Sequence, residues 1–220
     1  VFEGDRQLSI KAVTSMGMMA DSGYITLNET LDLSKNYRVE IAGYGERAVV
    51  PTTIFDSDYF AENYHYDGTD LGATVDGDET TFKLWAPTAS RVVLNLFEAG
   101  NGGTAYKSGD MTRGDKGGWS HTEPCGHGTY STYTVTTSVG TQEAVDPYAK
   151  AAGVNGDRGM VVDLSLTDPE GFDESVLADP INSYSEAVIW EVHVRDFSNK
   201  IASSQYKGKY LAFTEKGLVN

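Results

Sequence analysis

The chain has 220 residues, 17 of them Lys or Arg and 32 Asp or Glu, and the resulting formal charge of -15 repels a phosphate backbone and excludes nucleic acid as a partner class. One cysteine, Cys125, excludes an internal disulfide and a cysteine-rich zinc site, and the sequence has no apolar run of the about 18 residues that a membrane span needs. With 24 Gly, 13 Tyr and 40% hydrophobic residues in short alternating segments, the composition fits a mainly β protein with one or two cores.

Residues 1 to about 55 read as strands separated by turns. Leu8, Ile10 and Ala12 alternate with polar neighbours. In Tyr37-Arg38-Val39-Glu40-Ile41 the three apolar residues share one face and the charges share the other. Gly43, Gly45 and Pro51 punctuate the end of the stretch. It is short for a whole sandwich, so it is expected to be a small appended β module or the end of a larger one. Asp56 to Glu62 reads as a turn or two of helix, with a small polar residue placed to cap its first amides, and serves as a linker. Asp67-Gly68-Thr69-Asp70-Leu71-Gly72 then supplies turn chemistry.

From Glu79 to about Leu164 the turn signals recur at short intervals, as in an immunoglobulin-like β-sandwich. Phe82 and Leu84, then Val92, Leu94 and Leu96, then Tyr133 and Val135 are expected to face its core, while 100–103 and 114–118 make Gly-rich loops. The pattern changes at Ala187-Val188-Ile189-Trp190-Glu191-Val192-His193-Val194, a near-continuous apolar run that predicts a strand covered on both faces. On such a strand Glu191, His193 and Arg195 would share one face as a compensated charge network. The sequence opens at Val1 with neither methionine nor a signal-peptide pattern and reads as an excised or processed segment.

Four segments carry a resemblance. They are Tyr37-Arg38-Val39-Glu40-Ile41-Ala42-Gly43-Tyr44-Gly45-Glu46 with Tyr66-Asp67-Gly68-Thr69-Asp70-Leu71-Gly72; Thr81-Phe82-Lys83-Leu84-Trp85-Ala86-Pro87; Asp146-Pro147-Tyr148-Ala149 with Val154-Asn155-Gly156-Asp157-Arg158-Gly159; and Val188-Ile189-Trp190-Glu191-Val192-His193-Val194-Arg195-Asp196-Phe197-Ser198. In this order they resemble the front part of type I pullulanases, secreted α-1,6-glucan debranching enzymes of the α-amylase superfamily (glycoside hydrolase family 13). Trp190 stands where the family usually places tyrosine. The resemblance implies a mainly β fold: an N-terminal β module and linker over 1–62, a family 48 carbohydrate-binding sandwich over 63–166, and over 167–220 a linker and the first strand of a catalytic (β/α)8 barrel. It also implies an extracellular or cell-surface location. Its partners would be an α-glucan (pullulan, amylopectin or glycogen) and the remainder of the barrel, in the same or a second chain.

Retaining glycosidases need two carboxyl groups about 5 Å apart. In this family both follow a Tyr-Asn-Trp-Gly-Tyr-Asp-Pro motif that the sequence lacks, so this chain is expected to contribute no catalytic residue. Trp85 and Trp119 are the candidates for stacking on sugar rings; core packing or an interdomain contact is the expectation for Trp85, and Trp119, between glycines and Ser120-His121, is the fairer surface candidate of the two. No cofactor is implied. Asp67, Asp70, Asp76 and Asp78 could offer oxygens to calcium, which the parent enzyme could also bind, but turn-forming aspartates explain the cluster without a metal. His65, His121, His127 and His193 lack metal-ligand spacing and read as structural. Two other functions fit the sandwich: a free-standing starch- or glycogen-binding module, and a structural module that shields the barrel.

Overall fold

Short strands open the chain: β1 (Phe2–Glu3), β2 (Arg6–Gln7), β3 (Ile10–Ser15), β4 (Gly23–Leu27), β5 (Tyr37–Ile41) and β6 (Gly45–Ala48). The computed structural model describes residues 1–15, 17, 22–172 and 181–217, which divide into two units at Asp168 and Pro169. In the first unit an antiparallel sheet runs in the order β2-β1-β5-β6. Its core is Val1, Leu8 and Tyr37, with Leu27, Leu31, Val39 and Val49 packed against it. The apolar face expected for β5 fades along the strand: Tyr37 is buried, Val39 is half-buried and Ile41 is exposed. The alternation expected through Leu8, Ile10 and Ala12 also breaks, because a register shift between Ile10 and Ala12 turns the chain into the β3–β4 hairpin, whose β3 is exposed on both faces.

A short helix, α1 (Asp58–Tyr64), follows where the linker was predicted. The hydroxyl of Ser57 accepts a hydrogen bond from the Phe60 amide at 3.2 Å and satisfies one of the helix's free N–H groups.

The remaining strands of the first unit build the sandwich: β7 (Gly72–Asp76), β8 (Glu79–Trp85), β9 (Arg91–Phe97), β10 (Lys107–Asp110), β11 (Thr112–Arg113), β12 (Gly118–Glu123), β13 (Tyr130–Thr137), β14 (Gly140–Ala144), β15 (Ala151–Ala152) and β16 (Gly159–Met160). One sheet has the order β11-β12-β8-β7; the other runs β10-β9-β13-β16-β15, with β14 also on β13. Period-two alternation decides which side chains lie between the sheets. Phe82, Leu84, Val92, Leu94, Leu96 and Tyr133 are buried as their spacing predicts, joined by Ala89, Met111, Trp119 and Val161, while Val135 packs at the margin. Each buried aliphatic or Phe side chain contributes about 1.5–3 kcal/mol of transfer free energy.

The third of the segments quoted for the resemblance has a structural explanation within this unit. Arg158 reaches from beside β16 to donate to the carbonyls of Ala99, at 2.6 Å, and Gly103, and its guanidinium lies 3.5 Å from the Phe97 ring centroid. Asp146 accepts the hydroxyl proton of Tyr133 at 3.2 Å and the Tyr148 amide at 2.8 Å, so it closes the turn at Pro147 onto the core. Gly153 abuts Gly100 so closely that a Cβ there would meet the Gly100 carbonyl oxygen at 2.4 Å.

The second unit is irregular. Residues 187–193, expected to form a barrel strand, form none, and Val188 is 97% exposed. A strand is a property of a pair, and no described segment supplies the hydrogen-bonding neighbour that an apolar run needs. The helix α2 (Val194–Ser198) starts instead, with His193 at its N-cap accepting from the Asp196 amide at 3.4 Å. Glu191, His193 and Arg195 therefore share no strand face: His193 caps the helix and Arg195 lies inside it. Phe197 stacks on Phe213 at 4.2 Å, and Trp190 meets the edges of both at 6.0 Å. Parts of the segment expected to start the barrel, 173–180 and 218–220, lie outside the described residues.

Candidate functional site

Trp85 closes β8 on the outward face of its sheet, opposite Gly118. Its indole N–H is shared between the carbonyls of Tyr64 and Lys116, both at 3.0 Å, and Phe60 meets the ring edge at 6.1 Å. Phe60 in turn stacks on Tyr64 at 5.3 Å. These contacts pin α1 to the sandwich. Part of the Trp85 ring still lines a cleft of about 360 Å³ with Phe60, Ala61, His65, Tyr66, Leu71 and Tyr148, the last 52% exposed. Trp85 thus packs against α1 through Phe60 and still borders an open cleft, which the sequence does not foretell.

Trp119 departs from its sequence context. The fairer surface candidate of the two, it is 6% exposed within the sandwich core, and its indole N–H donates to the Ala86 carbonyl at 3.0 Å. Register is the cause: Trp119 stands directly opposite Leu84, and opposed residues of an antiparallel pair point to the same side of the sheet. Only the margin of Trp119 reaches a second cleft of about 220 Å³, which shares Tyr66 and Leu71 with the first and is bordered by Lys83, Asp115 and Ser120.

Polar groups converge where the two clefts meet. The Tyr66 hydroxyl donates to Asp70 Oδ1 at 2.5 Å, and Lys83 Nζ pairs with Asp70 Oδ2. The bond from Lys83, then that from Tyr66, holds the Asp70 carboxyl below its usual range, and the same carboxylate raises the Tyr66 phenol. Two of the four aspartates of the cluster thus face lysines, Asp70 with Lys83 and Asp67 3.8 Å from Lys116. Among the described residues no group of three or more His, Cys, Asp or Glu side chains is placed to hold a metal ion.

Each histidine has a local partner or place. His65 caps the C-terminus of α1 and borders the Trp85 cleft. His127 accepts from the Asp163 amide at 3.1 Å. His121 lies between the Asp110 carbonyl at 3.0 Å and Glu123 at 2.8 Å, and Lys107 bonds the same carboxylate at 2.5 Å. Glu123, almost fully buried, is held below the usual carboxylate range by His121 first and Lys107 second. This cluster closes one end of the sandwich.

Sequence reasoning passed over Tyr66 and Tyr148 as lining residues, although both stand in the quoted segments. A further cleft of about 420 Å³ lies in the N-terminal module, bordered by Leu31, Leu33, Tyr37, Val49, Pro51 and Tyr59 among others. Its Tyr37 hydroxyl accepts the Asp32 amide at 2.9 Å, and Thr30, Lys35, Thr52 and Thr53 add polar groups to its border.

Residues 70–149, which lie within the two antiparallel sheets that carry the aromatic Trp85 cleft on one outer face, match the family described as carbohydrate-binding module 48 (isoamylase N-terminal domain). The chain as a whole is similar to the N-terminal part of pullulanases. It is 36% identical over 170 residues to the pullulanase of Bacillus subtilis (strain 168), a match covering 76% of this chain and 22% of that protein. The solved pullulanase of Bacillus acidopullulyticus superposes with a TM-score of 0.71 at 39% identity, covering 88% of this chain and 24% of that one. A pullulanase from Anoxybacillus sp. LM18-11, solved with maltotriose, gives a TM-score of 0.78 at 32% identity, covering 98% of this chain and 30% of that one. The chain thus spans about a fifth to a third of the length of these relatives.

Proposed function

We propose that this chain is the accessory N-terminal region of an α-1,6-glucan debranching hydrolase, and that it holds branched α-glucan near a catalytic domain supplied elsewhere in the protein. The observation that carries the reading is the similarity to pullulanases, which runs through the N-terminal module and the sandwich alike. The division at about 62 and 166, an extracellular or cell-surface location, and pullulan, amylopectin or glycogen as ligand belong to this proposal. So does the remainder of a (β/α)8 barrel as the partner of residues 167–220. A calcium ion in the intact enzyme would find Asp67 and Asp70 already facing lysines.

The Trp85 cleft is the sugar contact this reading favours. A pyranose buries its apolar face on an aromatic ring while its hydroxyls remain hydrogen-bonded. Here Trp85 is fixed by its two carbonyl bonds and Tyr148 is exposed beside it, with Lys83, Asp115 and Ser120 lining the adjoining cleft where a neighbouring ring would lie. A second reading is a purely structural module that shields the barrel, favoured by the burial of Trp119 and the clasp role of Trp85. Affinity electrophoresis in amylopectin and pullulan gels separates the two. Retardation that disappears in Tyr148→Ala without a change in melting temperature supports sugar binding at the cleft. Mobility unchanged by every glucan supports the structural reading.

A further inference from the structure

The sequence contains Asn101-Gly102 and Asn155-Gly156, two copies of the dipeptide in which an amide side chain is followed by a residue with no Cβ. The fold treats them differently. Asn101 and Gly102 are exposed in the connection between β9 and β10; among the described residues neither has a hydrogen-bond partner, and a Cβ built on Gly102 would meet nothing within 4 Å. Both ends of this loop are anchored, since Arg158 binds the Ala99 and Gly103 carbonyls and Gly100 is seated against Gly153. Asn155 and Gly156 are exposed as well, and a Cβ on Gly156 would also meet nothing within 4 Å; what differs is that Asn155 is held at φ 58 and ψ 8 in a turn and that the Gly156 amide donates to the Gly153 carbonyl at 3.1 Å.

From this contrast we infer that Asn101 is a site of spontaneous deamidation and isoaspartate formation, while Asn155 is protected by the fold. The Gly102 backbone nitrogen gives up its proton to solvent base and attacks Asn101 Cγ; the new C–N bond forms as the bond from Cγ to the side-chain nitrogen breaks, and ammonia leaves. Water then opens the five-membered imide. Breaking the bond from nitrogen to Cγ gives aspartate; breaking that to the main-chain carbonyl gives isoaspartate, with the chain rerouted through the side chain. No electrons are exchanged. Either product adds one negative charge, and isoaspartate adds a backbone carbon between the two points where Arg158 holds the loop. The new carboxylate borders a cleft that already contains Glu143 and Asp157 beside Arg158.

The test is to hold the folded chain at mildly alkaline pH and follow both dipeptides by peptide mass mapping and by labelling with an isoaspartyl methyltransferase. Asn101 is expected to convert faster than Asn155 by about tenfold or more, a ratio set by how rarely the 153–157 turn opens. In denaturant the two rates should converge, and Asn101→Gln should remove the early methyl label. Equal rates in the folded chain, or an unchanged Asn101 peptide while the denatured control converts, overturn the inference.

Discussion

Trp119 shows how much one side chain depends on its partner across the sheet. Its neighbours Gly117, Gly118 and Ser120 give it the sequence context of a surface loop, but pairing with Leu84 aims the ring into the core, where its N–H finds the Ala86 carbonyl. Trp119→Ala is therefore expected to cost about 3–5 kcal/mol in a denaturant titration; a loss below about 1 kcal/mol would place the ring outside the core. Tyr133 makes a second prediction at this scale. Burial, then the charge of Asp146, raises its phenol far above the ordinary value of 10.0. Because the folded pKa lies above the unfolded one, the contribution is fully present below pH 10 and is lost as pH rises beyond it, when the unfolded phenol ionises first. The slope should approach about 1.4 kcal/mol per pH unit. Tyr133→Phe should flatten it, and an equally steep alkaline loss in that variant would assign the effect to other groups, such as the Tyr37 and Tyr64 phenols, which burial also raises.

At the scale of elements, α1 is too short to be stable alone and owes its place to tertiary contact. Ser57 caps its first turn, and Phe60 and Tyr64 reach Trp85, so the helix joins the N-terminal module to the outer face of β8 and β12 and forms one wall of the Trp85 cleft. Ser57→Ala is expected to destabilise the first unit by about 0.5–2 kcal/mol, while Ser57→Asp, which restores an acceptor, should recover most of it. The quantity to measure is the free energy of unfolding monitored by tryptophan fluorescence. Equal stability of all three proteins would show that aromatic packing alone holds the helix. The hairpin β3–β4 is the opposite case: it lacks a covered face and gains little beyond its own ladder.

For the molecule as a whole, the chemistry of glycoside hydrolysis sets the limit on what these residues do. Two carboxyl groups must flank the scissile bond. Here the acidic side chains with the most distinctive surroundings serve the fold: Asp146 receives Tyr133, Glu123 is bonded by His121 and Lys107, and Asp70 pairs with Lys83. The purified chain is accordingly expected to release no reducing sugar from pullulan or maltooligosaccharides. Sustained turnover by a preparation free of longer forms would overturn both this expectation and the accessory role. The charge excess of acidic residues fits an uncharged ligand and works against polyanions.

Alternation in the sequence was enough to assign the inward faces of β8, β9 and β13, because side-chain direction along a strand follows from period two without knowledge of any partner. A helix start capped by a small polar residue was likewise legible between Asp56 and Glu62, since a cap is a local hydrogen bond, and Ser57 fills that place. The direction of Trp119 could not be read this way, because it depends on which residue of another strand lies opposite. The Trp85 cleft was hidden for the same reason: Tyr66, Trp85 and Tyr148 are far apart along the chain and meet only once the linker and the turn at Pro147 fold onto the outer sheet. Residues 187–193 mark the boundary from the other side. Their apolar pattern is that of a buried strand, yet among the described residues no neighbour completes a hydrogen-bonded ladder, which leaves the run without strand structure.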